Sequence, residues 1–162
     1  MKKGFTLIEL MVVMVILSIL TVIVTGTLAS SSRRGRDTRR KNDVRAVEGA
    51  LEAYFNDKGK YPTGVNGVMT GCGTGDAQPC SWGSQFKDSK GTLYMVFIPT
   101  DPSIYKYYYV SAAGTNYQLY AKLENTLDAG NGVSQTGYAG INCGNSGTVL
   151  CTYGVASTNI SP

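Results

Sequence analysis

The chain has 162 residues, room for one compact domain and one apolar anchor but not for two full domains. It contains no histidine, the side chain most used for proton transfer near neutral pH and for ligating metals, so catalysis and transition-metal binding start from a poor position. The net charge of +4 is local: residues 33–45 hold seven Lys/Arg against two Asp, while residues 46–162 hold six basic and eight acidic groups.

Met1, Lys2, Lys3 and Gly4 precede an apolar run. Residues 10–32 are 23 positions without a charge, enough as a helix to cross a hydrocarbon core of about 30 Å. The four residues ahead are too short for an ordinary secretory leader, which needs its own apolar core and a small-residue cleavage site, and no such site follows the run. Glu9 stands alone among Phe5, Leu7, Ile8 and Leu10. A carboxylate inside a membrane segment is costly and marks function. The same residue at a helix start favours the macrodipole and reaches headgroup water. Both readings of Glu9 stand on the sequence.

Lys2, Lys3, Gly4, Phe5, Thr6, Leu7, Ile8 and Glu9, followed by Leu10, Met11, Val12 and Val13, resemble the class III leader of type IV prepilins and type II secretion pseudopilins. The resemblance implies that a prepilin peptidase cuts between Gly4 and Phe5 and methylates the new amino terminus at Phe5. It also implies that Glu9 pairs with the ammonium of a neighbouring Phe5 as subunits enter a helical homo-oligomer, handled by an inner-membrane assembly machinery. Opposite charges in a low-dielectric bundle attract strongly, and either one left alone is penalised. Glu9 is therefore expected to set register more than to add stability.

Val44, Val47, Leu51, Tyr54 and Phe55 recur at spacings that form one apolar helix face. Asp37 with Lys41 and Arg45 with Glu48 fall at helix-neighbour spacings, and Lys58, Gly59 and Pro62 supply a stop. A helix over residues 5–57 would run about 80 Å. Thr25, Gly26, Thr27, the serines at 30–32 and Gly35 are weaker helix formers, so the helix either bends near Gly26 or continues through it. Arg33, Arg34, Arg36, Arg39, Arg40 and Lys41 outnumber Lys2 and Lys3, against the positive-inside rule for a head placed outside. Acidic groups of neighbouring subunits are the preferred partners for this strip, with a solvated face or a DNA-binding strip as alternatives.

Beyond Pro62, Cys72, Cys80, Cys143 and Cys151 form two pairs with seven residues inside each. An even count beyond a membrane anchor favours disulfides; the pairing Cys72 with Cys80 and Cys143 with Cys151 is the expectation, although spacing alone does not fix it. Zinc thiolates are the alternative, without the short gap of common zinc knuckles. Strands are predicted at 93–98, 105–110 and 117–123, the last alternating Tyr117, Leu119, Ala121 and Leu123 with Gln118, Tyr120 and Lys122. This predicts a half-buried antiparallel sheet on the helix, with residues 129–162, rich in Gly, Ser, Thr and Asn, as an exposed terminal loop. Tyr54, Lys60, Tyr61 and Pro62 and the turn Pro99-Thr100-Asp101-Pro102 look like the major pseudopilin and its pilin relatives. The cysteine loops and the tail depart from that pattern and turn the expectation toward a surface pilus.

No nucleophile motif or phosphate-cradling loop is present, so no enzyme and no cofactor is expected. Asp101, Glu124 and Asp128 are weak calcium candidates, as in some pseudopilins, against their ordinary use at turns and strand ends. Tyr105, Tyr107, Tyr108 and Tyr109 suit a strand first and a stacking surface second. The expected protein is α+β and pilin-like: a leader at 1–4, a membrane and filament-core helix at 5–32, an amphipathic helix at 33–58, and a disulfide-held head at 59–162. Its expected place is the cytoplasmic membrane as a single-pass precursor with the head outside, then an extracellular pilus for adhesion, twitching motility or DNA uptake. The alternatives are a periplasmic type II secretion pseudopilus and a minor pilin acting as adhesin or DNA receptor.

Overall fold

The computed structural model describes residues 4–158 and 160–162, and residues 23–29 by their helical backbone alone. The leader lysines Lys2 and Lys3 lie outside the described residues. The chain divides into two compact units, one ending at Gly35 and the other Arg36–Pro162. Helix α1 (Leu7–Lys58) continues through Gly26, which answers the open question of a break there.

In the first unit every described side chain from Phe5 to Val22 is exposed. Its hydroxyls turn back on the helix, Ser18 Oγ donating to Val15 O at 2.8 Å and Thr21 Oγ1 to Leu17 O at 2.7 Å. The polar groups are thereby satisfied internally and an apolar surface is left outward. Among the described residues no helix is long and apolar enough to cross a membrane, and the span expected at 10–32 includes 23–29, whose side chains are not described.

In the second unit the apolar stripe of α1 is the floor of the core, with Val44, Val47, Leu51 and Tyr54 buried and Phe55 half-buried against Tyr61. The helix ends where Gly59 adopts a φ of 72° and its N–H donates to Phe55 O at 2.8 Å, a left-handed cap that glycine accepts without a Cβ penalty. A hairpin follows, β1 (Gly64–Val65) with β2 (Val68–Met69), turning at Asn66 and Gly67, both of positive φ. A Cβ on Gly67 would come within 2.6 Å of the Tyr108 ring, so the turn admits only glycine.

Strands β3 (Phe86–Lys87) and β4 (Leu93–Met95) form a second antiparallel pair. The third sheet has the order β5 (Tyr108–Val110), β6 (Gln118–Ala121), β7 (Tyr153–Ala156), antiparallel throughout, with Leu119 opposite both Tyr109 and Val155. Each expected strand is shorter than its apolar run because other partners take the backbone. Ile98 N donates to Ser84 O, Lys106 N to Cys143 O, and Leu123 N to Thr152 Oγ1.

Two expectations are corrected. Residues 129–162 are not simply an exposed loop, since they supply β7 and cover the outer face of the sheet. The sheet is buried on both sides. Tyr117, Leu119, Ala121 and Leu123 face the main core, while Tyr120 is buried among Tyr138, Ile141 and the Cys143–Cys151 bridge.

Candidate functional site

At the helix start, Thr6 and Glu9 cap each other. Thr6 N and Thr6 Oγ1 donate to Glu9 Oε2 at 2.8 and 2.7 Å, and Glu9 N donates to Thr6 Oγ1 at 3.3 Å. This is the reciprocal capping box of Thr-x-x-Glu, in which two orphan amides of the first turn are satisfied by side chains three residues apart. Glu9 Oε1 takes no hydrogen bond among the described residues. Phe5 is 82% exposed, and nothing lies within 4 Å of where a Cβ on Gly4 would sit. The Gly4–Phe5 peptide and Oε1 of Glu9 thus lie close along the chain on an open surface lined by Phe5, Ile8, Val12 and Val13.

The arginine strip is organised by the head. Arg40 is fully buried and its guanidinium is spent on three carboxylates. Nε and Nη2 form a fork on Asp101 at 2.6 and 2.9 Å, and Nη1 lies 2.8 Å from Asp37 and 2.9 Å from Glu124. Ser103 Oγ accepts a further bond from Nη2, and the Tyr105 ring lies 5.3 Å from the guanidinium carbon. Burial alone would lower the Arg40 pKa, but the carboxylates raise it above the ordinary value. Arg36 makes its own fork on Glu124. Bonding to Arg36, joined by Arg40, overrides partial burial and holds the Glu124 carboxyl at about 2. Asp37 also accepts the amides of Glu124 and Asn125, so one helix carboxylate holds the segment after β6.

Arg36, Arg40 and Lys41 therefore have their acidic partners within the subunit, which corrects for these three the expected pairing with neighbouring subunits, while Arg39 is largely exposed and lies 3.7 Å from Asp43 one turn along the helix. The reason is reach: Asp101, Glu124 and Asp128 come from two loops of the head that close over the helix. Lys41 reaches Asp128 at 2.6 Å rather than Asp37, and it draws the Asp128 pKa down. Of the calcium candidates, Asp101 and Glu124 are brought together around Arg40 and Asp128 sits apart on Lys41. Among the described residues no group of three or more His, Cys, Asp or Glu is arranged to hold a metal ion.

Cys72 is bonded to Cys80 and Cys143 to Cys151. The tyrosine run is largely spent on the interior. Tyr107 OH donates to Asp43 at 2.7 Å and Tyr109 OH to Pro62 O at 2.7 Å, while Tyr105 lies under Arg40. Burial, then Asp43, pushes the Tyr107 phenol well above its usual range. Sequence reasoning missed two features. Thr6 was legible in its three-residue spacing from Glu9. The cage around Arg40 was not, because Asp101 and Glu124 lie 61 and 84 positions away in sequence, with no periodicity linking them to the helix.

A long N-terminal helix carrying small antiparallel sheets and two disulfides is a pilin-like α+β fold. A family model described as the prokaryotic N-terminal methylation motif matches residues 1–25. Type II secretion system core protein G of Pseudomonas aeruginosa is 36% identical over 124 residues, covering 74% of this chain and 82% of the relative. The proteins of the same description from Klebsiella pneumoniae and Aeromonas hydrophila are 36% and 39% identical over 78 and 67 residues. Those matches cover 48% and 41% of this chain, and the chain spans about half of each relative, 56% and 47%. No solved structure matches. The chain belongs to the type IV pilin and pseudopilin family, alongside type II secretion system core protein G. The relatives favour the secretion pseudopilin over the surface pilus that the cysteine loops and tail had suggested.

Proposed function

We propose that this chain is a subunit of a type II secretion pseudopilus, a filament protein and not an enzyme. The observation that carries the reading is the 36% identity to core protein G across 82% of that relative. The 23 uncharged residues at 10–32 hold the precursor in the cytoplasmic membrane. A prepilin peptidase cuts after Gly4, where the backbone is exposed, and methylates Phe5. The membrane machinery then draws the helix into a filament on the periplasmic side.

The helix start supplies a mechanism for registration. Cleavage leaves the Thr6–Glu9 cap intact, because both residues lie beyond the cut. Glu9 Oε2 stays committed to Thr6, which fixes the carboxylate, and Oε1 is left to receive the Phe5 ammonium of another subunit. A subunit one turn out of place buries a carboxylate with one oxygen unpaired, a penalty of several kcal/mol in low dielectric.

The mass and N-terminal sequence of subunits from purified filaments test the reading; a methylated Phe5 is expected, and intact Met1 refutes it. Deleting the gene separates the two filaments. Loss of exoprotein release with surface fibres retained is the expected result, and the reverse makes the chain a pilus subunit. Glu9→Gln and Glu9→Ala precursors are expected to be processed normally and to assemble poorly. Undiminished assembly by both removes the registration role.

A further inference from the structure

A cleft of about 520 Å³ opens between residues 73–75 of the first disulfide loop and residues 87–91, the end of β3 and the turn that leads from it to β4. Its walls are fastened to each other from below. The Cys72–Cys80 bridge closes one wall. Asp76, on that wall, accepts the amide of Ser89 on the other at 2.7 Å. Lys58, at the end of α1, donates to Asp76 at 2.9 Å and lies 2.7 Å from Asp88. The remaining oxygen of Asp88 accepts Lys90 N and Thr92 N at 3.0 and 2.7 Å.

Both carboxylates near the cleft are thereby engaged from within, and the Asp88 side chain is only 2% exposed. Lys87 and Lys90, which line the opening, are exposed and have no acidic partner among the described residues. Lys58, Lys87 and Lys90 stand against Asp76 and Asp88, so the cleft carries an excess of positive charge, and it is concentrated at its mouth on Lys87 and Lys90. Gly73 O is taken by Asp76 N and Gly91 N by Asp88 O, each at 3.2 Å, while Gly73 N and Gly91 O have no backbone partner among the described residues. A Cβ on Gly75 would meet nothing within 4 Å, and one on Gly91 only the Lys87 side chain at 3.7 Å. No aromatic ring lines the cleft for a sugar to stack on, and no guanidinium fork is present to match a phosphate.

We propose that this cleft binds an acidic polypeptide segment, its carboxylates set against Lys87 and Lys90 and its backbone paired with the exposed peptide groups of the glycine-rich walls. The site is built entirely within Arg36–Pro162. Its rigidity comes from the Lys58 clamp, so little ordering is left to offset binding.

The test is fluorescence anisotropy of a labelled hexaglutamate peptide with the full-length chain in nonionic detergent at low salt. Saturable binding is expected, weakened roughly tenfold in Lys87→Ala/Lys90→Ala and by added salt. Lys87→Arg/Lys90→Arg is expected to retain it, as is Lys60→Ala/Lys106→Ala, which removes two exposed lysines outside the cleft. Three results overturn the proposal: no saturable binding, equal weakening in both alanine pairs, or displacement by polygalacturonate or inorganic phosphate at lower concentration than unlabelled hexaglutamate. Stronger displacement by polygalacturonate assigns the cleft to acidic glycans, and by phosphate to small anions.

Discussion

In the first unit Phe5, Leu10, Ile16 and Leu20 are 82, 55, 52 and 52% exposed, whereas in the second Val44, Val47, Leu51 and Tyr54 are almost wholly buried. Both sets ride on one helix. The difference lies in what covers them. The second set has a head of its own chain folded over it, sealed by aromatic contacts such as Tyr54 with Phe86 and Tyr61 with Tyr117. In the first, Ser18 and Thr21 turn their hydroxyls back on the helix backbone and no described side chain from Phe5 to Val22 is covered, so its apolar surface is an interface awaiting lipid or further copies. One half of α1 is thus a finished fold, and the other has meaning only in an assembly.

Breaking the Arg40 cage should have the largest effect on the finished half. Arg40→Ala leaves Asp37 and Asp101 buried without their cation and is expected to cost about 3–5 kcal/mol, read by chemical denaturation of the full-length chain. Arg40→Lys should restore less than half of this, because one ammonium cannot reproduce the fork on Asp101 while reaching Asp37 and Glu124. A loss below about 1 kcal/mol for Arg40→Ala would mean that the cage offsets only its own desolvation.

A matched pair of truncations sharpens the contrast. Leu51→Ala removes a fully buried side chain and should cost about 3 kcal/mol. Leu17→Ala removes a side chain that is 54% exposed, so the subunit's denaturation should shift by less than about 0.5 kcal/mol. Filament yield should respond the other way, falling for Leu17→Ala more than its stability does. Equal stability losses would contradict the division.

Acid should loosen the head. Glu124 and Asp76 are each held at about 2, against ordinary values of 4.5 and 3.8, by Arg36 bonding in the first case and by the Ser89 amide and Lys58 in the second. Groups with depressed folded-state values stabilise fully above their unfolded values and lose that contribution as pH falls through the folded ones. Melting temperature should therefore fall between about pH 4.5 and about pH 2. Glu124→Gln should be less stable at neutral pH with a shallower acid limb; an unchanged limb would remove Glu124 from the cause.

The two halves were unequally legible in sequence. The burial of Val44, Val47, Leu51 and Tyr54 follows from their period, and that of Tyr117, Leu119, Ala121 and Leu123 from their alternation, because one partner face decides each. Tyr120 read as solvent-facing by the same alternation, yet residues 138–151 cover it. Nothing local to β6 announces that second cover. The strip at 33–41 showed its charge and not its partners, since the acids that meet Arg36, Arg40 and Lys41 come mainly from loops whose path is set by tertiary packing. Only Asp37 and the Arg39–Asp43 pair were within helical reach.

The smallest expected effect concerns the boundary between a cap and an assembly charge. Thr6→Ala removes the hydroxyl that holds Glu9 Oε2 and accepts Glu9 N, and loss of such a cap costs about 1 kcal/mol of local helix stability. Hydrogen exchange should therefore quicken at the first-turn amides of α1 while the amides of Leu51 and Leu119 keep their protection, since fraying of one helix end does not propagate into the second unit. Thr6→Ser, which retains the oxygen, should behave as the parent. If Glu9 registers subunits because Thr6 holds it, Thr6→Ala should also lower filament yield without changing cleavage after Gly4. Quickened exchange with full assembly would instead make the cap a local structural detail, leaving the charge of Glu9 to act without it.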